Sequence, residues 1–357
     1  MNDPVMARLY GLVGTAGHVG ELRSLRDQIQ QRMQSLLPSA SVEQFNNDLN
    51  GMHDALIARC IFLAEQEMAR AGNGSPPVPY AYLLFGSGGR REQTLASDQD
   101  SGMLYDNPPE SMDGEQVRHY FHTFSQVIVD SLRQVGYPPC EGNVISSNPD
   151  WCDSLRGWME KLDRWFDEAH WEAVRYLLII ADGRIVSGDP SLSDRLKEHY
   201  FRDTLDHPVI VRRMLENTLR HKVLIGIFGQ LLTERYGRES GSLDIKYGAY
   251  IPLVNSIRLL AIQAGIRTTS TLERIRALRE AGKLSEHDAD NYASAFRLFL
   301  RLRLYTTALA EEGTYGSSGK LPGSRLTKQL ARELKRGLLT GRKLQRRVLR
   351  QTLGKLK

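Results

Sequence analysis

The sequence predicts an α+β protein: a helical N-terminal segment over residues 1–75, a small mixed-sheet domain over 76–205 and a helical C-terminal domain over 206–357. Three observations carry this. Apolar residues recur at four-residue steps before residue 72 and again after 206, the spacing of one helix face. A glycine- and proline-rich break, Gly72–Pro79, separates the N-terminal helical stretch from the middle of the chain. Beyond it, two short apolar runs of strand character flank a polar, glycine-rich loop.

Taken in order, the stretch from Leu22 to Ala71 reads as helices, with Ile29, Met33 and Leu37 on one face and Met52, Leu56 and Cys60 on another. Tyr80–Phe85 is the first expected strand and Asp100–Tyr105 the second. Asn107-Pro108-Pro109 breaks the chain before a helix expected over Gln116–Val135. Tyr137–Gly142 is a turn-rich crossing containing Pro138, Pro139 and Cys140. Asn148 and Pro149 suit an N-cap and a first helical residue. The helix expected after them carries Trp151, Leu155, Trp158, Leu162 and Trp165, a stripe read as core rather than as a ligand box. Tyr176–Ala181, an apolar run of six residues, is expected to be a buried strand. After Asp206 the chain reads helical, with breaks near Tyr236–Lys246 and Gly313–Gly323.

Composition narrows the function classes. Apolar residues make up 41% of the 357 residues and charged residues 25%, a globular balance with no run near the ~20 apolar residues of a membrane span. The first residues lack a basic head followed by a sustained apolar stretch, so no secretory leader is expected. Three cysteines form no CxxC pair, and a cytoplasmic location is expected. The net charge of +5 conceals a tail, Lys320–Lys357, with thirteen cations against Glu333 alone. That tail also carries Leu326, Leu330, Leu334 and Leu338 at fours. A docked amphipathic helix is therefore favoured over a nucleic-acid-binding tail.

The chemistry concentrates in GSGGRREQTLASDQD, Gly86–Asp100. In an extended segment Asp98 and Asp100 point to one side and Gln99 to the other. Paired carboxylates of this kind suit Mg²⁺ together with substrate phosphates. Gly86, Ser87, Gly88 and Gly89 can bring backbone N–H groups and a hydroxyl close to a polyphosphate. Arg90 and Arg91 add guanidinium charge that fits phosphate. No GxxxxGK[ST] loop is present, and no GxGxxG opens a helix here. The parts fit a metal-bound nucleoside triphosphate.

With those residues in view, the stretch resembles the nucleotidyltransferase superfamily, which places Gly-Ser after its first strand and Dx[DE] on the next. It is most similar to the branch of the PII-protein uridylyltransferases and related nucleotidyltransferases of unassigned role, written GSxGRxEQTLxTDQDN. Gly86, Ser87, Gly89, Arg90, Glu92, Gln93, Thr94, Leu95, Asp98, Gln99 and Asp100 match, with Ser97 for Thr and Ser101 for Asn. Tyr137, Pro138, Cys140, Gly142 and Asn148 match the branch's crossing, with Asn143 where glycine is usual. Leu243–Lys246, Arg258–Ala261 and Leu302–Leu304 match its helical C-terminal domain, so the similarity spans roughly residues 20–350.

The resemblance implies a polymerase-beta-like nucleotidyltransferase domain and a set of site residues. Asp98, Asp100 and Asp182 would hold two Mg²⁺, with Asp182 also accepting the acceptor's proton. Gly86, Ser87, Arg90 and, more weakly, Lys246 would hold the nucleoside triphosphate, which serves as co-substrate. From the residues alone Asp182 has a rival role, since Asp182-Gly183 can turn a hairpin into Arg184–Val186. Asp244 can equally be a helix cap. His287-Asp288 has no further metal-ligand partners nearby in sequence, and no phosphohydrolase-type removing activity is expected. The implied reaction moves an NMP from an NTP to a hydroxyl, on a partner protein in signalling. The alternative is a catalytically silent nucleotide-binding regulatory module.

Overall fold

Local caps decide where the N-terminal helices begin. The Asp3 carboxylate accepts from the Met6 amide at the start of α1 (Pro4–Thr15), His18 from Glu21 at α2 (Val19–Leu36), and Ser41 from Gln44 at α3 (Val42–Arg70). Ile29 and Met33 on α2, and Met52, Leu56 and Cys60 on α3, are buried as their spacing predicts. The computed structural model describes residues 3–204, 208–226, 229–234, 236, 239–309 and 315–355. Within them the chain forms two compact units, Met1–Asp163 with Asp182–Tyr200, and Arg164–Ala181 with Phe201–Lys357. The N-terminal helices and the sheet thus share one unit, and residues 164–181 belong to the other.

The first unit is built on a four-stranded mixed sheet. Its strands are β1 (Tyr80–Leu84), β2 (Ser101–Tyr105), β3 (Cys152–Ser154) and β4 (Arg184–Gly188), in the order β3-β2-β1-β4. β1 runs antiparallel to β2 and β4, whereas β3 is parallel to β2. Every residue of β1 and β2 is buried, as expected for strands covered on both faces. Between β1 and β2 lies the one-turn α4 (Gly86–Gly89), and after β2 comes α5 (Gly114–Val135). Asp113 caps α5, and Gly136 ends it at φ +107°, where a side chain would be strained. Phe121 of α5 stacks on Tyr105 at 4.3 Å between ring centroids, and Phe124 meets Tyr80 edge-on at 5.4 Å.

The tryptophan stripe is core, but not one helix. Pro149–Trp151 form a 3-10 turn, β3 follows, and α6 (Leu155–Glu168) starts afterwards. Cys152–Ser154 leave the helical path because they pair with Met103–Tyr105 at the sheet edge. Trp158 is fully buried, and its indole N–H donates to the Met103 carbonyl at 3.0 Å.

The expected strand Tyr176–Ala181 is instead the end of a helix, α7 (Trp171–Ile180). A short apolar run does not distinguish the two states by periodicity. Here the deciding signals lie upstream: His170 caps the Ala173 amide and Glu172 sits in the first turn. Ala173, Val174, Leu177 and Leu178 then fall on one buried helix face. Asp182-Gly183 consequently joins a helix to β4 rather than two strands of a hairpin, and β4 pairs with β1. α8 (Pro190–Thr204) follows β4.

In the second unit, α9 (Pro208–Thr218), α11 (Thr271–Glu280), α12 (Glu286–Tyr305) and α13 (Lys328–Lys355) pack against α10 (Ile251–Gln263). Residues Pro252–Ile262 of α10 are buried all round, which marks it as the central helix. The two expected breaks meet each other. β5 (Leu243–Asp244) in the first pairs with β8 (Lys320–Leu321) in the second, while β6 (Thr307–Leu309) pairs with β7 (Tyr315–Ser317). Asp206, Arg235, Gly313 and Thr314, which bear on these expected boundaries, lie outside the described residues. The expected amphipathic helix is α13, which buries Leu334, Leu338, Leu344 and Val348, whereas Leu326 precedes the helix and Leu330 is only half-buried. Asp288 lies in the first turn of α12 and pairs with Arg347. No helix among the described residues is long and apolar enough to cross a membrane.

His53 ties α3 to two segments around the sheet. Its Nε2 lies 3.1 Å from the Thr94 carbonyl oxygen and its Nδ1 2.7 Å from the Tyr137 hydroxyl. A carbonyl only accepts, so Nε2 carries the hydrogen and Nδ1 accepts from the tyrosine. Burial, followed by the Arg26 charge, pushes the imidazole down from 6.5 to about 4. Below pH 6.5 the unfolded chain protonates at this position and the folded chain does not. This contribution to stability is therefore complete above pH 6.5 and is lost as pH falls towards 4, at up to about 1.4 kcal/mol per pH unit. Chemical denaturation of the parent and His53→Gln from pH 7.5 to 4.5 should show the parent's advantage shrinking in that window. Parallel curves would rule out a neutral buried imidazole.

Candidate active site

The glycine corner exists because two carbonyl-rich backbones and a carboxylate crowd it. β1 ends at Phe85, whose amide donates to the Asp100 carbonyl at 2.9 Å and so places Asp100 beside the corner. Gly86 has φ +53°, and a Cβ there would lie 2.2 Å from Asp100 Oδ2. A Cβ on Gly89 would lie 2.0 Å from the Asp182 carbonyl oxygen. The Gly86 position thus demands glycine for conformation and for space, and Gly89 for space alone. Ser87, between them, is half-buried, with no side-chain partner among the described residues.

Asp98, Gln99 and Asp100 alternate as an extended segment must. Gln99 points inward, its amide nitrogen donating to the carbonyls of Tyr137 at 2.7 Å and Val129 at 3.1 Å. Asp98 and Asp100 converge with Cys140, and one donor atom from each lies within 4.8 Å of the other two. The crossing loop brings Cys140 there. The Gln99 amide donates to Pro138 at 2.9 Å, and Gln99 forms a parallel bridge with Pro139. The loop then turns back through Asn143 at φ +55°, a left-handed position that accounts for the glycine usual in the resembling branch. Burial first, then the Asp100 charge and a hydrogen bond from the thiol to that carboxylate, push Cys140 up to about 12.

Arg90 and Asp182 meet each other. Arg90 Nε donates to Glu92 at 2.8 Å and Nη1 to Asp182 at 2.7 Å. The three side chains are 7%, 2% and 1% exposed. Asp98, Asp100 and Asp182 do not share oxygens within 4.8 Å, so the structure unites two of the three expected carboxylates and adds a thiol. Arg184, next on the chain after Gly183, donates to the Gly88 carbonyl at 2.9 Å and to Asp54. Lys246 belongs to the second unit, where its Nζ sits 5.1 Å from the Tyr247 ring centroid. Asp244 caps the Tyr247 amide at 2.8 Å.

The residues that brace the loop were not singled out by the sequence. Gln30 on α2 donates to the Leu95 carbonyl at 2.7 Å. On α3, Asn46 donates to the Arg91 carbonyl at 2.7 Å, Asn50 accepts from the Gln93 amide at 3.0 Å, and Asp54 takes Arg91 at 2.9 Å. His53 holds Thr94. Asn46, Asn50, His53 and Asp54 recur at helical spacing among apolar neighbours, and that polar stripe is the signal that could have found them.

The donor set suits a divalent cation. Two carboxylates present only acceptors, and behind them Gln93 and Gln99 line a small cavity with Asp98 and Asp100. Each glutamine is over nine-tenths buried and keeps a side-chain oxygen without a partner among the described residues. The two converging carboxylates of Asp98 and Asp100 favour a cation.

Two family models match the chain. One, described as "Putative nucleotidyltransferase DUF294", matches residues 27–172, and the other, "Putative nucleotidyltransferase substrate binding domain", matches 208–352. Among curated proteins, a bifunctional glutamine synthetase adenylyltransferase/adenylyl-removing enzyme of Burkholderia pseudomallei is 23% identical over 282 residues, 74% of this chain and 28% of the relative. The protein of the same name from Burkholderia mallei is 22% identical over the same share. The match therefore spans just over a quarter of these relatives' length.

Two substitutions test this geometry. Asp182→Asn removes one of the carboxylates that Arg90 meets, a lost charge-assisted hydrogen bond that should cost about 1.5–3 kcal/mol in denaturant unfolding. A residue that merely turned the chain would accept Asn without loss. Gly86→Ala should destabilise the fold or push the Asp100 side chain aside, read as a lower Tm and weaker divalent-cation binding. A variant indistinguishable from the parent in both would refute the crowded corner.

Proposed function

From its membership of the family described as "Putative nucleotidyltransferase DUF294", to which this chain belongs through paired models over 27–172 and 208–352, we propose a specific reaction. The protein transfers a nucleotidyl group from a nucleoside triphosphate to a hydroxyl of a partner protein and releases pyrophosphate. The observation that carries this reading is the convergence of Asp98 and Asp100 beside the Gly86–Ser87 corner. Asp98 and Asp100 would hold Mg²⁺, two ions being the expected number. The metal supplies positive charge against the phosphate oxygens. The bare backbone of Gly86 and the hydroxyl of Ser87 receive the triphosphate. The acceptor oxygen forms a bond to the α-phosphorus, and the bond from that phosphorus to the bridging oxygen of the leaving pyrophosphate breaks. The hydroxyl proton passes to a carboxylate or to solvent.

Asp182 and Arg90 act in this reading as a positioning pair, because each already satisfies the other inside the unit. Asp182 as a third ligand would have to reach the cluster while its Oδ2 stays on Arg90. The second unit, matched by a substrate-binding model, would receive the acceptor. The curated relatives' names specify adenylyl transfer to a protein, which supports ATP as donor and a protein acceptor over the uridylyl donor implied by the sequence resemblance. A signalling role in the cytoplasm is part of the same proposal.

A second reading, a silent nucleotide-binding module, is favoured by one observation: the described donor cluster contains two carboxylates, not three. One experiment separates the two. Each α-labelled NTP is incubated with Mg²⁺, the protein and a lysate of the source cell, and thermal shift is measured alongside. A ligand at 100 times its Kd should stabilise the fold by about 2.7 kcal/mol, in a metal-dependent manner. Transfer should label a protein band, and Asp98→Asn or Asp100→Asn should abolish both signals. Metal-dependent binding without labelling would favour the silent module. Absence of metal-dependent stabilisation by every NTP would overturn both readings.

A further inference from the structure

We infer that Asp98, Asp100 and Cys140 form a mixed carboxylate–thiolate site that accepts a thiophilic divalent cation, of the zinc or cadmium class, in the place proposed for magnesium. The inference rests on the reading of Asp98 and Asp100 as a metal-holding pair and adds a third ligand to it. Three features of the fold carry it. The donor atoms of the three residues already lie within 4.8 Å of one another. Cys140 is held in place by backbone: the Gln99–Pro139 bridge sets it alongside Asp100, and the Asn143 amide closes the turn onto the Cys140 carbonyl at 3.1 Å. Gln93 and Gln99, each with a buried side-chain oxygen that has no partner among the described residues, line a small cavity together with Asp98 and Asp100.

Ligand chemistry decides which cation gains from the sulfur. Magnesium takes oxygen donors almost exclusively and would leave the thiol hydrogen-bonded to Asp100. Zinc and cadmium prefer thiolate, and two carboxylates with one thiolate give three protein ligands and an open fourth position. Occupation forms a metal–sulfur bond and releases the thiol proton to solvent, one per cation, with no change of oxidation state. A phosphate oxygen of the nucleotide could complete the fourth position. The two other cysteines, Cys60 and Cys152, are buried and have no place in this cluster.

The test uses the full chain and cadmium alone. Titration with Cd²⁺ should produce one ultraviolet thiolate-to-metal absorption band per chain. Cys140→Ser should lose the band and bind Cd²⁺ at least about tenfold more weakly. Should Cys140→Ser fail to fold, alkylation of the parent gives the same answer: Cd²⁺ should protect Cys140 from iodoacetamide, mapped by mass spectrometry, and Mg²⁺ should not. A band that survives in Cys140→Ser, or equal alkylation with and without Cd²⁺, would overturn the inference. Thermal shift of the parent with Mg²⁺ and ATP runs in parallel. Failure there with an intact cadmium band would sink the nucleotidyltransferase reading and leave the mixed site standing.

Discussion

A guanidinium buried between two carboxylates persists only while both carboxylates stay in place. Arg90, with Glu92 on one side and Asp182 on the other, imposes that condition on the first unit. Glu92 comes from the loop that follows the glycine corner, and Asp182 from the residues that lead into β4. The ion group therefore fixes the loop to the strand that pairs with β1. Breaking either contact in a medium of low dielectric would cost more than the pair's association gains. Such a cluster specifies one arrangement more strongly than it stabilises it.

Around that lock, the loop from Arg91 to Ser97 has little regular structure of its own and borrows its order from α2 and α3. Gln30, Asn46, Asn50, His53 and Asp54 meet its backbone or side chains one after another. Backbone groups buried outside helix and sheet must find partners, and here helical side chains supply them. The N-terminal helices are thus part of the site's support. Asp98 and Asp100 can converge because the segment before them is held.

How much of the site could be read along the chain depends on the range of each signal. The alternation at Asp98, Gln99 and Asp100 is a local property of an extended backbone, so the pairing of the two carboxylates was legible. Helix faces such as Ile29 with Met33 were legible for the same reason, and so was the buried edge of α13. The partner of Arg90 lies 92 residues away, and no local pattern announces it. Tyr176–Ala181 was misread because an unbroken apolar run is compatible with either state, and its cap, His170, is an uncommon one. Cys140 stood in view as a motif residue, yet its approach to Asp100 depends on a bridge formed only in the folded chain.

The first unit is interrupted in the chain: it leaves at Asp163 and resumes at Asp182. During synthesis, β1 and β2 emerge well before β4, and residues 164–181, which come just before it, belong to the second unit. Until β4 arrives, one edge of β1 has unpaired amides and carbonyls, and Arg90 lacks its contact with Asp182. An open strand edge is a natural point for recognition by chaperones or for pairing with another chain. Completion of the sheet and closure of the Arg90–Asp182 pair then occur together, on arrival of the segment from Asp182 to Gly188. The glycine corner would take its final form late, after emergence of a segment that the matched N-terminal family model does not reach.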